Sequence, residues 1–63
     1  MTTRIQAMVI DRDNLAYDIA DLIKYMATPE YEGVDGYDKM LAEFQLPHMQ
    51  LYLAVLDRRI ERL

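Results

Sequence analysis

The stretch that decides the fold is residues 46–63, LPHMQLYLAVLDRRIERL. Its large apolar residues follow one another at alternating steps of three and four, which places them on one face of an α-helix. They are Leu46, Met49, Leu53, Leu56, Ile60 and Leu63. Leu51, Tyr52 and Val55 add a second apolar flank. A helix with two apolar faces must bury both of them. We therefore expect another helix of the same chain to pack on one face and a second copy of the chain to pack on the other.

A second apolar helix is predicted in the first half of the chain. Thr3 followed by Gln6 matches the capping box that starts a helix. Apolar residues then recur at helical spacing, interrupted at Arg12, until Thr28 and Pro29 end the pattern. They are Ile5, Met8, Leu15, Ile19, Leu22 and Met26. An alternative remains open, in which residues 5–10 form a short strand and Asp11 or Asp13 caps a later helix.

The middle of the chain is predicted to be a loop over residues 29–37, which contain a proline, two glycines and several acids. Asp35 is a candidate N-cap for a short helix over residues 37–44. Residues 45–47 should break that helix, and Pro47 should lie in the first turn of the last one, next to His48. The predicted fold is therefore all-α: one domain, residues 1–63, forming an antiparallel helical hairpin with a short middle helix.

Two copies are expected to pair into a dimeric helical bundle. A chain of 63 residues buries only about 60% of its unfolded surface, which leaves it marginally stable alone. It has no cysteine and one histidine, so neither disulfides nor a conventional zinc site can supplement the core. The residues expected in the core and dimer interface are Ile19, Leu22, Met26, Met49, Leu53, Leu56 and Ile60.

Charge and hydropathy restrict the partners. The net charge is −4, which disfavours general binding to nucleic acid. The acids are concentrated between residues 11 and 43, whereas three arginines lie near the C-terminus. No apolar run approaches the roughly 20 residues that a membrane span needs, and the opening residues do not resemble a signal peptide. We therefore expect a cytoplasmic protein.

Catalytic and metal-binding patterns are weak. Residues 11–16 begin like a calcium loop, but Leu15 and Ala16 stand where an acid or amide and a glycine are required. Asp18 and Asp21 share a helix face but have no nucleophile beside them, and the chain contains no serine. His48 is expected to have a surface or interface role. The sequence predicts no enzyme, no cofactor and no metal.

Two groups of residues are candidates for binding a partner protein. The first is the loop group Tyr31, Glu32, Asp35 and Tyr37, because tyrosines are enriched in interface hot spots. Both rings could instead fold back and cap the bundle. The second is the group Arg58, Arg59 and Arg62, which an antiparallel hairpin would bring near Arg4. These cations also suit the C-terminal end of a helix dipole, which is a sufficient structural reason for them.

The function favoured by these patterns is a small cytosolic regulator or inhibitor that binds a larger host or complex protein as a homodimer. Its size and acidity resemble those of accessory proteins of phages and mobile elements, which is an analogy rather than a motif. Two alternatives remain. One is a dimeric DNA-binding transcriptional regulator that uses the arginine-bearing helix, and the other is a structural dimerisation or assembly module.

Overall fold

A computed structural model describes residues 3–63, and helices α1, α2 and α3 account for nearly all of them. Helix α1 spans Arg4–Met26, α2 spans Pro29–Glu32 and α3 spans Gly36–Glu61. The part of the chain that the structure describes contains no β-strand. This confirms the all-α prediction, and α1 is one continuous helix, so the alternative with a strand at residues 5–10 is wrong.

The predicted capping box at the start of α1 is confirmed. The Thr3 hydroxyl accepts a hydrogen bond from the backbone N–H of Gln6 at 3.1 Å, and the Gln6 side chain accepts one from the Thr3 N–H at 2.9 Å. These two bonds satisfy two amide groups that have no partner within the first turn. Helix α1 ends at Met26, just before Thr28 and Pro29, as the sequence indicates.

Helices α1 and α3 lie antiparallel. Arg12, in the first half of α1, contacts Asp57 near the end of α3, whereas Tyr25 near the end of α1 lies beside Tyr31, which contacts Lys39 near the start of α3. The molecule is elongated, 44 Å by 19 Å by 15 Å, as expected for a hairpin of two long helices. The hairpin layout agrees with the prediction.

The middle of the chain differs from the prediction in two respects. The short helix lies at Pro29–Glu32, inside the predicted loop, and not at residues 37–44. Helix α3 begins at Gly36, with the Asp35 side chain accepting from the Tyr37 N–H at 3.0 Å, and it continues through Pro47 without a break. The predicted break at residues 45–47 is therefore wrong, and so is the prediction that His48 lies at a helix start.

Packing explains why α3 tolerates Pro47. A proline inside a helix removes one backbone hydrogen bond and crowds the preceding turn. Pro47 is exposed, as is Glu43, whose carbonyl loses its partner, so solvent can reach the affected turn. Leu46 and Met49, on either side of the proline, lie half-buried along the hairpin contact. Packing on α1 therefore holds both halves of α3 in one helix.

The core follows the predicted heptad pattern on both long helices but is small. Among the described residues Leu56 is the most buried, with 2% of its surface exposed, and Met8, Ile19 and Tyr31 are also buried. The other residues predicted for the core and dimer interface are half-buried: Leu22, Met26, Met49, Leu53 and Ile60. Ile5 and Leu63, at the outer ends of the pattern, are exposed, because neither has a helix beyond it to cover it.

Candidate functional site

The loop end of the hairpin is held together by Tyr31. Its ring packs edge-on against Tyr25 with 5.5 Å between centroids, and the ammonium group of Lys39 lies 5.4 Å from its ring centroid. Its hydroxyl donates to the Lys39 carbonyl oxygen at 3.2 Å. Burial, followed by the negative charge of Glu43, raises the pKa of Tyr31. With only 8% of its surface exposed, the Tyr31 side chain fits the capping alternative, not an open binding surface.

The other loop residues face outward. Tyr37 is 64% exposed and lies in the first turn of α3. Asp35 caps its own helix, and the Glu32 carbonyl oxygen accepts from the Lys39 ammonium group at 3.0 Å, while the Glu32 side chain stays exposed. Tyr31 and Tyr37 therefore differ, since the first ring is used within the chain and the second is free to contact a partner.

The open end of the hairpin gathers arginines from both termini. Arg4 of α1 and Arg59 and Arg62 at the end of α3 border a shallow hollow that is completed by Met8 and Leu63. The antiparallel arrangement therefore brings Arg4 to the C-terminal arginines. Arg58 is exposed and lies outside this hollow. Its Nε is 3.9 Å from Oε2 of Glu61 on the same helix. Among the residues that the structure describes, no acidic side chain borders the hollow, which combines positive charge with an apolar floor and suits an anionic group.

The two predicted binding groups do not meet within one chain. The loop group lies where α3 begins and the arginine group where α3 ends, and 26 residues of helix separate these ends. A helix of that length spans about 39 Å. One partner of modest size therefore cannot easily contact both groups on a single hairpin.

The second apolar flank predicted at Leu51 and Val55 is one part of a longer apolar stripe along α3. We call it the outer stripe; it runs along the side of α3 away from α1, at alternating steps of four and three. Its members are all exposed: Tyr37, Leu41, Phe44, His48, Leu51 and Val55. Phe44 and Leu51 are 60% and 66% exposed. The predicted break at Pro47 divided this stripe between two helices, and only the continuity of α3 unites it.

His48 lies at the middle of the outer stripe. Its Nδ1 is 2.7 Å from the carbonyl oxygen of Phe44, one turn earlier, so this nitrogen carries the proton that forms the bond. The histidine is thereby tied to its own helix, and its side chain lies on the exposed surface.

The part of the chain that the structure describes offers neither a metal-binding cluster nor a membrane-spanning helix. Across residues 3–63, no three histidine or acidic side chains are close enough together to hold a metal ion. No helix among these residues has the length and apolar character needed to cross a membrane.

These features define a small, all-α hairpin protein with a basic open end, a tyrosine at its loop end and an uncovered apolar stripe. The chain belongs to the Sequestin family, whose family model matches residues 2–62. No curated protein and no solved structure matches it.

Proposed function

We propose that this protein acts by sequestration: it binds a target protein stoichiometrically and holds it, without a chemical step. The family name, Sequestin, supports sequestration, and the match extends over nearly the whole chain. Sequestration requires only a binding surface, which agrees with a sequence that has no catalytic pattern. In this proposal the protein is a cytoplasmic homodimeric inhibitor, comparable in size and acidity to accessory proteins of phages and mobile elements.

The observation that carries the proposal is the arginine hollow at the open end. Arg4, Arg59 and Arg62 surround Met8 and Leu63, so a target can bury an apolar group while its carboxylates meet the guanidinium groups. Arginine is enriched in protein-binding hot spots. The rest of the chain is acidic, which concentrates its positive potential at this end and orients an acidic target toward it. The proposed target is therefore a protein with an acidic, partly apolar segment.

A small anionic molecule is the second candidate for what is sequestered. The same hollow carries three cations and an apolar floor, with no acidic side chain among its described lining residues. A phosphorylated or carboxylated small molecule would need those groups. Duplex DNA fits less well, because a chain with a net charge of −4 gains little from counterion release.

A capture experiment with matched variants tests the proposal. The immobilised protein is exposed to host lysate as wild type, as Arg4→Gln with Arg59→Gln, and as Arg58→Gln, which removes a charge outside the hollow. We expect wild type and Arg58→Gln to retain one protein at a defined stoichiometry. We expect the double variant to bind that protein at least about 100-fold more weakly, on the order of 1.4 kcal/mol for each arginine.

The outcomes separate the two candidates. A small molecule released by heating the purified wild-type protein, and absent from the double variant, would replace the protein target with an anionic ligand. Equal retention by wild type and the double variant would mean that the arginine hollow is not the binding site. No retained protein and no released molecule would contradict sequestration at this site.

A further inference from the structure

The exposed apolar surface of this hairpin is larger than a small folded chain normally leaves uncovered. Four hydrophobic residues are buried, whereas thirteen large hydrophobic residues in the described part of the chain are at least two-fifths exposed. Six of the thirteen line one side of α3: Tyr37, Leu41, Phe44, Leu51, Tyr52 and Val55. A contiguous exposed apolar surface of this kind marks an interaction site. The outer stripe extends along α3 from Tyr37 to Val55.

We propose that the outer stripe of α3 is the homodimer interface and that the two copies pair with their α3 helices antiparallel. The inference rests on the homodimer in the proposed function and adds the surface, the orientation and the register. The heptad spacing of the stripe is the spacing at which two helices pack side by side through interdigitating side chains. In a symmetric dimer, a two-fold axis brings the outer stripe of one copy against the outer stripe of the other.

Charge determines the orientation. At the beginning of α3 lie Asp35 and Asp38, and beyond the apolar part of the stripe the heptad continues with Arg58 and Arg62. A parallel pair would place the arginines of one copy against those of the other. An antiparallel pair places them against the acidic beginning of the partner helix, where opposite charges attract. The antiparallel arrangement is therefore the one that the charges favour.

The heptad and the arginines together select the register. In an antiparallel pair, Phe44 of each copy opposes Val55 of the other, and His48 opposes Leu51. Each pair of opposed residues forms one layer of the interface, so the four central layers are apolar or aromatic. The next layer outward pairs Leu41 with Arg58 of the second copy. The last layer pairs Tyr37 with Arg62 of the second copy, which suits a cation–π contact. A register shifted by seven residues would pair Tyr37 with Val55, Leu41 with Leu51 and Phe44 with His48, but it would place the two arginines opposite positions 34 and 30, which precede the second copy's α3. The contacts of the arginines with α3 therefore favour the first register.

The dimer unites the two binding groups that a single hairpin separates. Tyr37 and Asp35 of one copy come to the end of the assembly where Arg58 and Arg62 of the second copy lie. The hollow formed by Arg4 and Arg59 lies beside this junction, so each end of the dimer presents aromatic, acidic and basic groups together. One assembly then carries two equivalent binding ends.

Cross-linking tests orientation and register directly, because the chain has no cysteine of its own. Leu41→Cys and Arg58→Cys are prepared separately and oxidised alone and mixed. We expect a disulfide-linked dimer only in the mixture, because position 41 opposes position 58 of the second copy and neither opposes itself. Cross-linking of each variant alone would establish a parallel pair and overturn the proposal.

Sedimentation velocity at on the order of ten micromolar protein tests the surface. Leu51→Lys places like charges near the two-fold axis, so we expect the dimer dissociation constant to rise on the order of 100-fold. Helicity should be retained, because Leu51 is exposed in the hairpin. Tyr17→Lys, at a 72% exposed position on the other long helix, is the matched control and should remain dimeric.

The outcomes distinguish this inference from the proposed function. If the dimer persists in Leu51→Lys and dissociates in Tyr17→Lys, the protein is a homodimer but the outer stripe is not its interface. If the wild type is a monomer, both the homodimer and the outer-stripe interface are wrong. Loss of target capture by Leu51→Lys would then mean that the outer stripe binds the target protein. If Leu51→Lys fails to fold, the mixed-cysteine result decides.

Discussion

Arg12 and Asp57 join the two long helices of the hairpin at the position where the apolar pattern of α1 is interrupted. The Arg12 Nη1 donates to an Asp57 carboxylate oxygen at 3.1 Å, and its Nε donates to Asp13 at 2.7 Å. The hydrogen bond to Asp57, followed by that to Asp13, raises the pKa of Arg12. The vacancy in the heptad is thus occupied by a polar contact between helices, which fixes their relative position.

A double-mutant cycle with Arg12→Ala and Asp57→Ala should show a favourable coupling for this pair at low salt. Both side chains are partly exposed, so the coupling should be small and should disappear at about 1 M salt, where screening is nearly complete. Chemical denaturation of the four proteins at two salt concentrations measures it. Arg58→Ala with Glu61→Ala is the control, because that pair lies within α3 and should contribute nothing to helix pairing. A coupling unaffected by salt would contradict this account.

Leu56→Ala should lower the free energy of unfolding by about 2–5 kcal/mol, the usual cost of a buried leucine truncated to alanine. Leu56 is the most buried of the described residues, and the stability of a small domain is of the same size, so much of the variant should be unfolded at room temperature. Circular dichroism with urea titration measures the loss. Leu63→Ala removes the same atoms from an exposed site and should change stability little. Similar losses in the two variants would mean that Leu56 is not the centre of the core.

The stability of the hairpin should fall as the pH rises above the ordinary tyrosine value of 10.0, because the pKa of Tyr31 is raised in the folded state. Between that value and the raised pKa, the unfolded chain has released a proton that the folded chain still holds, so alkali favours unfolding. Thermal unfolding between about pH 8 and pH 11 should show this fall in wild type. Tyr31→Phe should show a smaller fall, and Tyr37→Phe, at an exposed site, should behave as wild type. Equal pH dependence in wild type and Tyr31→Phe would refute the link.

Pro47→Ala should stabilise α3. Proline inside a helix costs about 3 kcal/mol relative to alanine, and the alanine amide would restore the missing hydrogen bond to the Glu43 carbonyl. We expect a gain of about 1–3 kcal/mol in the free energy of unfolding, measured by urea denaturation. Pro29→Ala is the control, because Pro29 lies in the first turn of α2, where proline is favourable. A loss of stability in Pro47→Ala would show that the proline shapes the packing of α3 on α1.

The sequence by itself determined what depends on local and periodic information. The capping box at Thr3, the N-cap at Asp35, the end of α1 before Pro29 and the heptad of core positions around Leu56 follow from residue type and spacing. The gathering of Arg4 with the C-terminal arginines follows from the antiparallel hairpin that those patterns predict.

Tertiary structure decided whatever depended on two distant segments meeting. Local rules predicted a break at Pro47, but α3 continues through it because both halves pack on α1. The outer stripe of α3 is therefore continuous. The loop tyrosines were equivalent in the sequence, but Tyr31 packs against Tyr25 and Lys39 whereas Tyr37 remains exposed. Arg12 interrupts the apolar pattern of the sequence, and in the structure its guanidinium group contacts the Asp57 carboxylate of α3. In each case the deciding energy comes from contacts between different helices, and spacing along one helix does not encode them.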